Sequence, residues 1–211
     1  HGIAGAGGMG MVMANWVLDG DPGFDAWEMD VRRFGAQYRS PSYTLARVTE
    51  NYETYYDIKY PGHERQAGRP LRTGPAYPWH VEHGAFFGEK SGWERVNYYT
   101  ANEDPALESL RPRGWAGMNW STAIAAEHRA AREAVALFDE SSFAKIEVSG
   151  PGAPDLMEHL CDNRVVKGPG RMTYTQLLNE RGGVESDVTV SQLDHDTVYV
   201  VNGTEFGAND L

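Results

Sequence analysis

Apolar residues fall at helical spacing in the first third of the chain, lose any period in the middle, and return largely as strand-like alternation in the last third. Met9 to Leu18 follows a glycine-dense opening and reads as a helix that stops at Asp19-Gly20-Asp21-Pro22, since Gly and Pro end helices. The glycine run itself, Gly2 to Gly10, predicts a tight loop feeding that helix's N-terminus. Ser42 is positioned to cap a second helix, in which Leu45, Val48, Tyr52, Tyr55 and Tyr56 recur at steps of three and four and predict one packed face, before Pro61-Gly62 ends it. From about His63 to Trp120 the chain is rich in Gly, Pro, Arg and aromatic residues, among them Trp79, Phe86, Phe87, Trp93 and Trp115. With no sustained period of either kind, that stretch predicts an irregular, well-packed connecting region.

Ser121 and Thr122 then precede an Ala-rich helix over Ala123 to Phe138, holding Ile124, His128, Val135 and Leu137. Phe143 to Ser149 alternates as a strand, Gly150-Pro151-Gly152 turns, and Ala153 to Leu160 reads as a short helix with Leu156, Met157 and Leu160 inward. Met172 to Leu178 and Val184 to Leu193 are strands flanking the hairpin connection Asn179 to Gly183, and Val198 to Val201 is one more strand before Asn202-Gly203. This last part predicts an α+β fold with mostly antiparallel pairing.

Charge narrows the partners. With 19 Lys and Arg against 30 Asp and Glu, the net charge of −11 argues against a nucleic-acid binder, and the acidic excess is scattered as on a solvated surface. The values of 41% hydrophobic and 23% charged residues are those of a globular chain of one large or two small domains. No run approaches the ~18 apolar residues of a membrane span. One cysteine, Cys161, permits no intrachain disulfide and no Cys-rich metal site, and fits a reducing compartment: the cytoplasm, or the mitochondrial matrix in a eukaryote.

Gly5-Ala-Gly-Gly-Met-Gly10 satisfies the G-x-G-x-x-G pattern of a dinucleotide fold. Its context opposes that reading, because the required strand would precede His1 and Asp30, at the acidic spacing, does not end a strand. The small residues still allow close backbone approach to a ligand near a helix N-terminus. His80-Val-Glu-His83 offers two imidazoles three apart, with His63 nearby, but a metal site needs a third ligand on a regular element and Pro78 opposes a helix start there. Ser141-Ser142, near Asp139 and His128 in sequence, lacks a nucleophile elbow and reads as turn capping. Cys161 reads as a small buried residue whose pKa Asp162 raises. No metal is expected.

Several segments resemble a known family. His1-Gly-Ile-Ala4, the small-residue helix ending in Asp19-Gly20, and Asp30, Arg32, Arg33 and Phe34 resemble the C-terminal flavin loop and following segment of D-amino-acid-oxidase-like oxidoreductases. Tyr60-Pro61, Glu64, Arg69-Pro-Leu-Arg72 and Gly84 to Arg95 resemble the central domain of dimethylglycine and sarcosine dehydrogenases. Glu127-His128, Arg132-Glu133, Phe138 to Phe143 and Gly182-Gly183-Val184 through Asp187 are similar to the N-terminal part of the aminomethyltransferase domain shared with the glycine-cleavage T-protein.

The resemblance implies three parts: residues 1–35 as the end of the flavin domain, 36–95 as a central linking domain, and 96–211 as the start of a T-protein-like folate-binding domain. Both ends of the chain are then expected to fall inside domains, and this piece is not expected to be catalytic alone. The implied cofactors are FAD, with His1, Gly2, Ile3, Ala4 and Gly5 beside its ring, and tetrahydrofolate, with Tyr174 and Asp187 against it and Asp187 as the functional carboxylate. The implied substrate is an N-methyl amine, with oxygen or an electron-transfer flavoprotein as electron acceptor and no nucleic-acid or membrane partner. The alternative is an aminomethyltransferase-type or regulatory relative without the redox step. Glu205 departs from the family, which would place a small residue there.

Overall fold

The structure, a computed structural model, describes residues 2–210. The chain forms two compact units, 1–35 and 36–211.

The first unit opens with helix α1 (Gly2–Asp19), so the expected glycine loop is instead the helix's first half. Nothing lies within 4 Å of where a Cβ would stand at Gly2, Gly7, Gly8 or Gly10, so no close packing demands glycine at these places. Each Gly costs about 1 kcal/mol against Ala in a helix interior, a cost compatible with a helix continued backwards from Met9 to Leu18. The end falls where the sequence puts it, with Gly20 at φ 75° donating to the Trp16 carbonyl at 3.1 Å. Short 3-10 turns follow, and buried Asp30 accepts from the backbone N–H and Nε of Arg32, both at 2.7 Å. No strand occurs among the described residues of this unit.

In the second unit, helix α2 (Pro41–Glu53) is capped by Ser40, whose Oγ accepts from the Tyr43 N–H at 3.4 Å, rather than by Ser42. Pro41 in the first turn supplies a preset φ and lacks an N–H that would be unpaired anyway. The apolar stripe Leu45, Val48, Tyr52, Tyr55 and Tyr56 faces outward, contrary to expectation. The inward side carries Arg47 and Glu50, because Arg47 pairs with Glu89 and with Glu50. The region expected to be irregular contains α3 (Tyr77–Glu82) and an antiparallel hairpin, β1 (Ala85–Lys90) with β2 (Trp93–Tyr99). Ser91 and Gly92, at φ 49° and 82°, make the two-residue turn that matches strand twist. A register shift between Phe86 and Phe87 breaks the alternation that would have revealed the strands.

Helix α4 (Thr122–Glu133) is capped by Ser121, which accepts from the Ala123 N–H at 3.1 Å. It ends before the expected Phe138, and Val135, Leu137 and Phe138 are exposed as the chain leads out towards Asp139, which His80 engages. Then come β3 (Ala144–Ser149), α5 (Ala153–Leu160), β4 (Arg171–Leu178), β5 (Val184–Gln192) and β6 (Thr197–Asn202). They build an antiparallel sheet of order β3-β6-β5-β4. Its inner face supplies Val188, Val190, Val198 and Val200, packed with Met157 of α5 and Val165. Leu156 and Leu160, expected inward, are each 48% exposed, since the one covered face of this short helix is Ala153, Pro154 and Met157. The class is α+β, as the alternation predicts. No described helix is long and apolar enough to cross a membrane.

Candidate functional site on the outer sheet face

Strand alternation decides where the expected site residues point. Thr173 and Thr175 of β4 and Ser186 and Val188 of β5 are buried on the core face, so Tyr174 and Asp187 stand on the opposite one. The register sets Gln176 opposite Asp187 and Tyr174 opposite Thr189, which makes Tyr174 and Asp187 diagonal neighbours. The Tyr174 hydroxyl donates to Asp187 Oδ2 at 3.0 Å. The adjoining carboxylate raises the phenol above its ordinary pKa, and a side-chain hydrogen bond with Gln176 opposes that rise. Among the described residues Asp187 Oδ1 accepts no hydrogen bond. The pair thus presents an acceptor oxygen beside an exposed aromatic ring, an arrangement that fits the N–H groups and flat face of a reduced pteridine.

The hairpin connection is built by Asn179, whose Oδ1 accepts from the backbone N–H of Arg181 at 3.0 Å and of Gly183 at 2.9 Å, with Gly182 at φ 78°. Across the sheet, Val188 pairs with Asn202, so the loop beginning at Gly203 borders Asp187. Glu205 in that loop accepts from Lys90 Nζ at 3.0 Å and from Ser91 Oγ at 3.2 Å. The departure from the family pattern therefore has a structural use, which ties the β1–β2 turn to this loop.

Of the residues expected beside FAD, His1 lies outside the described residues. Gly2, Ile3, Ala4 and Gly5 lie in α1. No polar side chain comes from these four residues. They belong to the first unit, Tyr174 and Asp187 to the second.

The remaining candidates resolve into structural roles. Buried His80 has Nδ1 2.7 Å from the Tyr99 hydroxyl and Nε2 2.8 Å from Asp139 Oδ2, while His83 stacks on Trp79 with ring centroids 3.9 Å apart. Pro78 stands in the first turn of α3 and does not prevent that helix. Among the described residues no group of three or more His, Cys, Asp or Glu could hold a metal ion. Asp139 accepts from the Ser141 N–H at 2.9 Å, and its hydrogen bonds with Ser141 and His80 hold its carboxyl down at about 2. The Asp139 partner is His80, 59 positions away, and no local sequence pattern announces it. Burial, with Glu158 adding to it, pushes the Cys161 thiol up to about 11, so it is a poor nucleophile.

Comparison with known proteins assigns families to the two parts of the chain. The GCVT N-terminal domain family matches residues 76–211, and the FAD dependent oxidoreductase central domain matches residues 19–74. The chain is 38% identical over 201 residues to a 4-methylaminobutanoate oxidase (formaldehyde-forming) of Paenarthrobacter nicotinovorans, a match covering 95% of this chain and 24% of that protein. It is 32% identical over 206 residues to the mitochondrial pyruvate dehydrogenase phosphatase regulatory subunit of Mus musculus (97% and 24% covered). It is 30% identical over 211 residues to the mitochondrial dimethylglycine dehydrogenase of Rattus norvegicus (100% and 24%). The chain spans about a quarter of the length of these relatives. With the Tyr174–Asp187 hairpin inside the longer of the two matched regions, the chain belongs to the GCVT N-terminal domain family, joined to an FAD dependent oxidoreductase central domain.

Proposed function

We propose that this chain is part of an FAD-dependent oxidoreductase that demethylates an N-methyl glycine derivative, dimethylglycine or sarcosine, and passes the one-carbon unit to tetrahydrofolate. The observation that carries the reading is the Tyr174–Asp187 pair, on an open sheet face of a GCVT domain that follows an oxidoreductase domain. Relatives whose names describe oxidation of methylated amino acids support the substrate class. FAD, when bound, supplies the two-electron oxidation of the amine. Gly2 to Gly5 would lie beside it, with residues 1–35, 36–95 and 96–211 as flavin, linking and folate-side parts. On the folate side, Tyr174 orients the Asp187 carboxylate, and the free Oδ1 accepts an N–H of the ligand or holds its proton. Oxygen or an electron-transfer flavoprotein would reoxidise the flavin, and the compartment would be the cytoplasm or the mitochondrial matrix, the names of two relatives carrying the word mitochondrial.

The test is Asp187→Asn in the polypeptide that carries this chain together with its flavin domain. Amine oxidation at the unaltered rate, with the one-carbon unit released as formaldehyde instead of transferred, supports the reading. Transfer at the original rate refutes it. A second reading, a regulatory protein without turnover, draws on the 32% identity to a phosphatase regulatory subunit. It predicts no flavin reduction by any N-methyl amino acid.

A further inference from the structure

We infer that the cleft between the β1–β2 hairpin and the start of α4 binds an N-methylated ammonium ion that carries no carboxylate. The inference does not depend on the folate-side reading of Tyr174 and Asp187.

The cleft has a volume of about 590 Å³, within the roughly 300–1,000 Å³ of small-molecule sites. Part of its lining is aromatic. Phe86 of β1 and Tyr98 of β2 are register partners, and their rings stack with centroids 4.9 Å apart and planes 9° from parallel. Trp120 and the buried Ser121 and Thr122 line it at the start of α4. The Ser121 hydroxyl donates to Glu103 Oε1 at 3.4 Å, which ties that carboxylate to the cleft through one oxygen.

Charge and donor counting give the ligand class. Arg111 is the one basic residue of the lining, and all its nitrogens are engaged: Nε and one terminal nitrogen by Glu108, the other by the carbonyls of Gly117 at 2.9 Å and Trp120 at 2.8 Å. That pairing offsets the Glu108 charge and leaves Glu103 uncompensated. Asn119 gives its amide N–H to the Pro61 carbonyl at 3.2 Å, so its Oδ1 is an acceptor. Among the described residues Glu103 Oε2 and Asn119 Oδ1 have no hydrogen-bond partner. A carboxylate together with aromatic faces attracts a cation. A primary ammonium has three donors to satisfy, more than these two oxygens meet, and each methyl group replaces a donor with an apolar surface suited to the rings. A carboxylate on the ligand would stand unpaired near Glu103, which disfavours N-methyl amino acids.

The test is a titration of the whole chain with dimethylammonium chloride, followed through the indole N–H resonance of Trp120, which is identified with Trp120→Phe. Sodium chloride at matched ionic strength is the control for salt. A saturable shift is expected. Affinity should fall about ten-fold in Glu103→Gln, which keeps an acceptor for Ser121 and removes the charge, and about three-fold in Phe86→Leu. Glu147→Gln, on β3, should bind as the unaltered chain does, and sarcosine, which adds a carboxylate to the same secondary ammonium, should bind more weakly. No saturable shift, a shift that sodium chloride reproduces, undiminished affinity in folded Glu103→Gln, or sarcosine binding as tightly as dimethylammonium overturns the inference. If circular dichroism shows Glu103→Gln unfolded, Phe86→Leu and the sarcosine comparison decide.

Discussion

Asp139 joins a turn to the buried imidazole of His80, and removing its charge should destabilise the second unit by an amount that depends on pH. Its carboxyl is lowered from 3.8 to about 2, first by the Ser141 side-chain hydrogen bond and then by His80. The side chain is 25% exposed, so solvent screens it only in part. A depression of roughly 3.8 − 2 = 1.8 units, at 1.36 kcal/mol each, corresponds to about 2 kcal/mol. Since the folded-state value is the lower one, this stabilisation is fully present above the ordinary carboxylate range. It fades as pH falls from about 4 through about 2. Urea denaturation of the unaltered chain and of Asp139→Asn, at several pH values from 7 down to 2, measures the difference directly. A gap of about 2 kcal/mol at pH 7 that closes below pH 3 is expected. A gap that stays constant with pH, or no gap at neutrality, would show that the His80–Asp139–Ser141 contacts do not hold the turn in this way.

Three further substitutions or treatments probe the packing. Arg69 and Glu94 form a two-pronged pair at 2.9 and 2.6 Å with both side chains nearly buried, so Glu94→Ala should cost about 3 kcal/mol in chemical denaturation by stranding the guanidinium. A double change to Met and Leu should cost much less. Val188 is 1% exposed at the centre of the sheet, and Val188→Ala should lower stability by about 2 kcal/mol without altering the circular dichroism of the folded chain. Cys161, its thiol raised to about 11, should react with iodoacetamide at pH 8 far more slowly than free cysteine, and at the ordinary rate once the chain is unfolded in urea.

What the sequence made readable is what local pattern determines. The strands around Val188 and Val198 show period two because one face is buried, and their hairpin connection, bounded by Asn179 and Gly183, brings residues thirteen apart side by side. The diagonal contact of Tyr174 with Asp187 was therefore within reach of a sequence argument, although the roles of these residues came from family resemblance. The misses share another cause. Whether the Leu45–Tyr52 stripe of α2 or its Arg47–Glu50 edge turns inward depends on Glu89, forty-two positions from Arg47. The His80–Asp139 contact is longer still, and the β1–β2 hairpin is hidden by a shift of register between two phenylalanines. The glycine run at the start of α1 shows the limit of propensity: glycine weakens a helix without forbidding it.

In the proposed function, the outer face of the β4–β5 hairpin binds a reduced folate through Asp187. Titration calorimetry of tetrahydrofolate against the chain and against Asp187→Asn tests it, with urea denaturation of both to show equal stability. Measurable binding that falls at least ten-fold on loss of the carboxylate, a charge-assisted hydrogen bond, is the expected result. Equal affinity in the two proteins would contradict the account.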